Sequence, residues 1–261
     1  MKIEVLGLFP LTDTASVPLY RQVKRELQQL IESGRCPPGQ ALPNESAIAQ
    51  ALSVSIGTLR RAVDELVHEH VLVRRQGKGT FVALHGSERF MFQFFHVEPR
   101  PDPRFSDTPQ PSEYPQVESL GYERERAGEL DAAVLRIKPG DPVIRFDNRL
   151  SLSGRAVVYD RITIPALMFK GLTERRLRDR KGTIYSLYQT EFGITVLRAQ
   201  ERTRAAAADR SAARMLGLPI GQPVLEVHRT ALTFGERPVE YRISTINTSL
   251  HDYVSMLSKR M

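Results

Sequence analysis

Ser55, Thr58, Arg60 and Arg61 crowd the first turns of one expected helix, and Arg75, Gln76, Gly77 and Lys78 fill a tight turn that follows it. Hydroxyls, backbone N–H groups at a helix start and clustered guanidinium groups hold phosphate and meet base edges. The chemistry on offer is therefore recognition of nucleic acid. The bland alternative is a helical hairpin with a solvated basic edge, since paired Arg and Lys on helices are commonly surface. Order along the chain favours recognition: cap, turn, helix and glycine turn follow one another as a DNA-binding motif requires.

Other chemistries fail on spacing. His68 and His70 lie two apart on a helix and point in different directions, and the other histidines are scattered, so no zinc set is expected. Gly77-Lys78-Gly79-Thr80 echoes a phosphate-binding loop but lacks the adjacent Lys-Ser/Thr pair and the following helix. No serine sits in a Gly-x-Ser-x-Gly elbow, and no acid, base and oxyanion clamp can be placed together. The expectation is no catalytic residue, no metal and no cofactor.

The elements that must position the basic residues are legible. Asn44 can cap a helix whose apolar positions are Ala47, Ile48 and Ala51, and Leu52-Ser53-Val54 turns the chain to a second cap at Ser55. The second helix runs over 56–70 and buries Leu59, Ala62, Val63 and Leu66, leaving Thr58 and Arg61 on other faces. Strands at 71–74 and 80–83 flank the glycine turn and carry Arg75 and Lys78 outward. Ahead of them, 18–33 forms a supporting helix with the stripe Leu19, Val23, Leu27, Leu30 and Ile31, stopped by Gly34. This is a winged helix-turn-helix.

A chain of 261 residues, 41% hydrophobic and 26% charged, has room for two modest domains of ordinary soluble composition. One cysteine, Cys36, excludes an intramolecular disulfide and suits a reducing cytoplasm. The apolar run 5–10 is too short for a secretory signal, and no stretch approaches the roughly 20 apolar residues of a membrane span. A cytoplasmic protein without a membrane partner is expected. The net charge of +7 points to polyanions or anionic ligands. Ten Lys and Arg against eight Asp and Glu lie up to Ala83, so that part carries only +2 of the +7. Placement of Arg60, Arg61, Arg75 and Lys78, not total charge, carries the nucleic-acid argument.

The organisation expected is an arm at 1–15, the winged helix at 16–83, a joint at 84–89 and a second domain at 90–261. An apolar strand at 90–95 opens that domain, and a proline-rich loop at 99–115 follows. An internal repeat comes next: Leu135 to Phe146 aligns without a gap on Leu216 to Val227, with Gly140 and Gly221 in register at an offset of 81 that holds to Gly154 and Gly235. Each copy has an alanine-rich helix, a Gly-x-Pro-Val turn and a β-hairpin, which predicts one antiparallel sheet with packed helices and a pseudo-twofold relation. Alternation puts Asn148 on a face with Ile144, Phe146 and Leu150, and its equivalent Arg229 on a face with Leu225, Val227 and Ala231. A buried polar residue needs a partner, either another side chain or a ligand.

Pro18-Leu19-Tyr20, Leu42-Pro43-Asn44-Glu45, Thr58-Leu59-Arg60-Arg61-Ala62 and Gln76-Gly77-Lys78-Gly79-Thr80-Phe81-Val82 resemble the GntR family of bacterial transcription regulators. Ser46 and Ile56-Gly57 depart from it, where the family often has Arg and Arg-Thr. Pro139-Gly140-Asp141-Pro142-Val143, Thr183-Ile184-Tyr185-Ser186-Leu187 and Arg237-Pro238-Val239-Glu240-Tyr241 resemble the UTRA effector-binding domain of the family's HutC subgroup, whose fold is similar to chorismate lyase. The resemblance implies an α+β chain with an effector pocket lined by Asn148, Asp160, Thr183, Tyr185 and Glu240. Members that bind phosphosugars tend to have arginines where Asn148 and Leu150 stand and a tyrosine where Ile246 stands, which argues against that ligand here. Arg229 supplies a forked anchor for a carboxylate.

The reading is a homodimeric regulator, expected to be a repressor. It would bind near-palindromic double-stranded operator DNA through Asn44, Ser55, Thr58, Arg60, Arg61, Arg75, Gln76, Gly77 and Lys78. A small-molecule effector, expected to be an organic acid, would control it. The alternative is a chorismate-lyase-like enzyme fused to a DNA-binding domain.

Overall fold

The computed structural model describes residues 7–8, 10–11, 17–84, 96–100 and 114–255. The strand expected at 90–95, the joint from 85 on, and most of the arm and of the proline-rich loop lie outside the described residues. The chain forms two compact units, Met1–His85 with Tyr185–Leu197, and Gly86–Ile184 with Arg198–Met261.

In the first unit, α1 (Leu19–Glu32) buries Val23, Leu27, Leu30 and Ile31. It packs on α3 (Ile56–His68), which buries Leu59, Ala62, Val63 and Leu66. Lys24 ties the pair by donating to Glu65 at 2.9 Å and Glu69 at 2.6 Å. Both short polar caps form. Asn44 accepts from the Ser46 amide at 2.8 Å to start α2 (Glu45–Ala51), and Ser55 accepts from the Thr58 amide at 3.1 Å to start α3. The wing pairs β1 (Leu72–Arg75) with β2 (Gly79–Val82) from Leu72↔Val82 to Arg75↔Gly79. Its three-residue turn depends on Gly77 at φ 70°, a left-handed conformation that glycine takes without a Cβ clash. The later helix α6 (Ile184–Phe192) belongs to this unit, and Gln189 donates to the Ala83 carbonyl at 3.0 Å.

The second unit is built on a six-stranded antiparallel sheet. Its order is β4 (Gln116–Arg126), β5 (Pro142–Leu152), β6 (Arg155–Pro165), β9 (Pro238–Ile246), β8 (Pro223–Leu232) and β7 (Arg198–Ala207). Helices α4 (Glu129–Leu135) and α7 (Arg210–Leu216) cover one face, α4 through Ala132 and Leu135 on Val143 and Tyr241, α7 through Ala212, Ala213 and Leu216 on Tyr159 and Val224. A two-stranded ribbon of β3 (Val97–Pro99) and β10 (His251–Tyr253) joins the core through Val97, which packs with Leu150, Val158, Val227 and Ile246. The short helix α5 (Glu174–Arg178) is capped by Thr173.

The repeat is the sheet's centre. Hairpins β5–β6 and β8–β9 are its two copies, and β6 pairs with β9 where they meet. Each copy shifts register at an equivalent place, after Leu150 and after Ala231. The constant offset of 81 ends there. Ser151 pairs with Ala156, whereas Leu232 pairs with Pro238, so the second turn holds one residue more and β6 maps on β9 at an offset of 82.

Candidate functional site

On the first unit, Ser55, Ile56, Gly57, Arg60 and Arg61 are exposed around the start of α3. Ser55 and Thr58 hydroxyls lie 2.8 Å apart, so each already has a partner. Arg60 donates to Glu45 at 2.8 Å, and the Arg61 guanidinium lies 4.0 Å over the Tyr20 ring. Arg75 lies 4.6 Å over Phe81, while Gln76, Gly77 and Lys78 stand exposed at the wing tip. The two groups of exposed residues therefore sit on defined mounts: a capped helix end and a glycine turn. Exposed Asn44 is committed to its cap.

On the second unit the sheet register gathers four of the six residues expected around an effector. Asn148 stands opposite Asp160, Asp160 opposite Ser244, and Glu240 opposite Ala231, one alternation from Arg229. Asp160 is 1% exposed, Arg229 6%, and Glu240 is fully buried. Thr183 is half-buried just ahead of α6. Tyr185 is buried in α6, its ring 5.9 Å from that of Tyr188, and falls in the first unit.

Sequence reasoning missed the group that organises this cluster. Arg242, 8% exposed, stands opposite Arg229 and donates to Glu240 and to Asp160, both at 3.0 Å. Ser244 donates to the other Asp160 oxygen at 2.5 Å. Arg229 donates to Glu201 at 2.5 Å, and the Tyr253 hydroxyl bonds the second Glu201 oxygen. Arg180 reaches within 3.5 Å of Asn148. Buried carboxylates and guanidiniums thus neutralise one another, which is how charge survives away from water. Period-two alternation from Glu240 would have placed Arg242 on this face. The offset of 81 maps Asp160 on Tyr241 instead, because it ignores the extra turn residue.

Burial pushes the Glu201 carboxyl upward, but Arg229 and the Tyr253 hydroxyl outweigh it and hold the group below the usual glutamate range. Burial pushes His96 below the usual histidine range. His96 and Tyr253 from the ribbon, with Asp160, Arg229, Arg242 and Ser244 from the sheet, enclose a cavity of about 30 Å³, room for about one water. Among the described residues no group of His, Cys, Asp and Glu could hold a metal ion, and no helix is long and apolar enough to cross a membrane.

The comparisons with known proteins match both units. Residues 19–82 match the family described as bacterial regulatory proteins, gntR family, and residues 112–252 match the UTRA domain. The chain is 26% identical over 244 residues to the mannosyl-D-glycerate transport/metabolism system repressor MngR of Escherichia coli, covering 93% of this chain and 97% of that one. It is 30% identical over 235 residues to the HTH-type transcriptional regulator Rv0792c of Mycobacterium tuberculosis, covering 86% and 80%. Among solved structures, the ligand-binding domain of a GntR-family regulator from Bordetella bronchiseptica superposes with a TM-score of 0.57 at 31% identity, over 63% of this chain and 98% of that one. With a capped helix and wing in the unit that matches one model and a buried polar cluster in the sheet that matches the other, the chain belongs to the gntR family of bacterial regulatory proteins and is a DNA-binding transcription regulator controlled by a small-molecule effector.

Proposed function

We propose that this regulator is a cytoplasmic, homodimeric repressor that holds a near-palindromic operator and leaves it when an effector enters the cluster of the second unit around Asn148, Asp160, Arg229 and Glu240, with Thr183 of the same unit as a further lining residue. Residues 16–83 are the DNA-binding domain, 84–89 the joint, and 90–261 the effector-binding and dimerisation domain. One observation carries the effector reading: ionised side chains are buried at the centre of a sheet whose neighbouring positions are apolar. Such a cluster is costly to keep, and a binding site is the use that repays it.

The effector fitting this set is a hydroxylated organic acid. Its carboxylate would take the place of Glu201 on Arg229, and Asp160 and Glu240 would accept from its hydroxyls. The named system of the 26% identical repressor, mannosyl-D-glycerate, has this chemistry. A ligand shifts the regulator only if it binds the released state more tightly, and breaking the Arg229 pair with Glu201 supplies such a difference. The test is operator binding by the full chain, followed by fluorescence anisotropy with and without hydroxylated acids. Arg229→Ala should bind operator normally without effector and lose the response. A full response in that variant, or tight binding of a sugar phosphate by the parent chain, overturns the assignment.

A further inference from the structure

We infer that the second unit holds another ligand site, for a small carboxylate with an apolar body, in the cleft where the C-terminal end of α4 meets the ends of β5, β6 and β9. The cleft has a volume of about 340 Å³, against about 30 Å³ at the polar cluster, and so falls in the range of small-molecule pockets. Its walls include Leu135, Ile137, Pro142, Pro165 and Pro238. Three of these are prolines without an N–H, which makes the wall apolar even where backbone lies at the surface. Leu167 at the same cleft is 64% exposed. The cleft lies at the other end of the strands from Asn148, six residues and roughly 20 Å along β5 from Pro142, and comes nearest the effector cluster on β9, where Pro238 is two residues from Glu240.

Two guanidiniums line this apolar cleft, Arg136 and Arg237. Arg136 occupies the C-cap of α4 in the left-handed conformation, φ 53° and ψ 44°, where the repeat's other copy has Gly217 at φ 66° and ψ 38°. A side chain there costs on the order of 1 kcal/mol over glycine. The chain accepts that cost at the copy with the cleft. Arg136 spends one donor on the Glu236 carbonyl at 3.0 Å, out of five. Arg237 makes no side-chain hydrogen bond or ion pair among the described residues, although Arg145, Arg149, Arg161, Arg198 and Arg204 of the same sheet are all paired. Glu236 pairs with Arg198, while Asp141, which also lines the cleft, accepts from the Lys138 amide at 2.9 Å. Two arginines against one aspartate leave the lining net cationic, and with an apolar wall that favours an anion whose remainder is apolar.

The test is calorimetric titration of the full chain with benzoate and hexanoate, and with benzyl alcohol as the neutral counterpart. Both acids should bind and the alcohol should not. Arg136→Gly, which installs the other copy's residue, and Arg237→Ala should each weaken benzoate about tenfold or more. Arg136→Gly should melt no lower than the parent, because glycine suits the left-handed cap, so lost binding there is not lost folding. Arg202→Ala, at an exposed position of β7 that lines neither cavity, should bind benzoate like the parent. No binding of either acid up to about 10 mM, equal binding in both cleft variants, or equal binding of benzyl alcohol overturns the inference. Loss in Arg229→Ala alone overturns it in favour of the effector cluster. A change of oligomeric state in Leu167→Glu overturns it in favour of a protein occupant.

Discussion

Arg60 reaches back to Glu45 and Arg61 lies over Tyr20, so an operator phosphate approaching either would compete with a partner that already holds the side chain in place. Lys78 at the wing tip has its amide in the turn, bonded to Arg75, and its side chain exposed. Lys78→Ala should weaken binding evenly across operator sequences and lower the slope of log affinity against log salt by about one. Arg60→Ala should also weaken binding. Unchanged binding isotherms for both, measured at several salt concentrations, would remove these residues from the interface. The polar cluster makes a prediction in pH. His96 is held below its ordinary value, so the unfolded chain takes up that proton first as pH falls; its contribution is complete above the ordinary histidine value and is lost below it. Glu201 is depressed too, and its contribution, present above the ordinary glutamate value, is lost as pH falls through the lower folded one. Thermal melts should therefore drop on acidification in two stages. Burial holds His251 below the usual range as well, so His96→Gln should shrink, not abolish, the stage below the ordinary histidine value, and a variant that keeps it in full shows that His96 does not contribute.

At the scale of elements, the capped helices, the wing and the repeat were legible because each is written in local chemistry. Asn44 and Ser55 are cap residues, and their caps form. Ser55→Ala should cost about 1 kcal/mol and lower the melting temperature, and an unchanged melt would show the cap to be dispensable. The faces of Asn148 and Arg229 were legible from alternation alone. The edge strands β4 and β7 were not. Their residues are mostly exposed, so no apolar alternation marks them. Pairings within the cluster were hidden for another reason: which side chain meets Asp160 depends on register, and one added residue in a turn moves every later residue along. Arg242 follows from that shift, whereas Arg180 and Tyr253 were hidden because they reach the cluster from segments distant in sequence. The placement of Tyr185 could not be read from its motif, because assignment of α6 to a unit is a matter of packing.

For the whole molecule, one recognition helix reads too few base pairs to find a site in a genome. Two copies reading a near-palindrome, with half-sites spaced by whole turns of DNA, resolve this. Light scattering should give a mass near twice 29.5 kDa free, and the same plus one operator duplex on DNA. A monomer in both conditions would rule out the dimeric reading.

The membership of α6 in the first unit has a consequence for synthesis. Residues up to 85 emerge from the ribosome about 100 residues before the segment from Tyr185 on, which carries Gln189 to the Ala83 carbonyl. At ordinary rates of translation that gap lasts roughly 5–20 s. During it a nascent chain exposes its operator-reading helix on a unit still missing one of its parts. When Leu197 completes the first unit, β4, β5 and β6 of the sheet have been translated and β7, β8 and β9 still follow, so the first unit is complete in sequence while the sheet is half made.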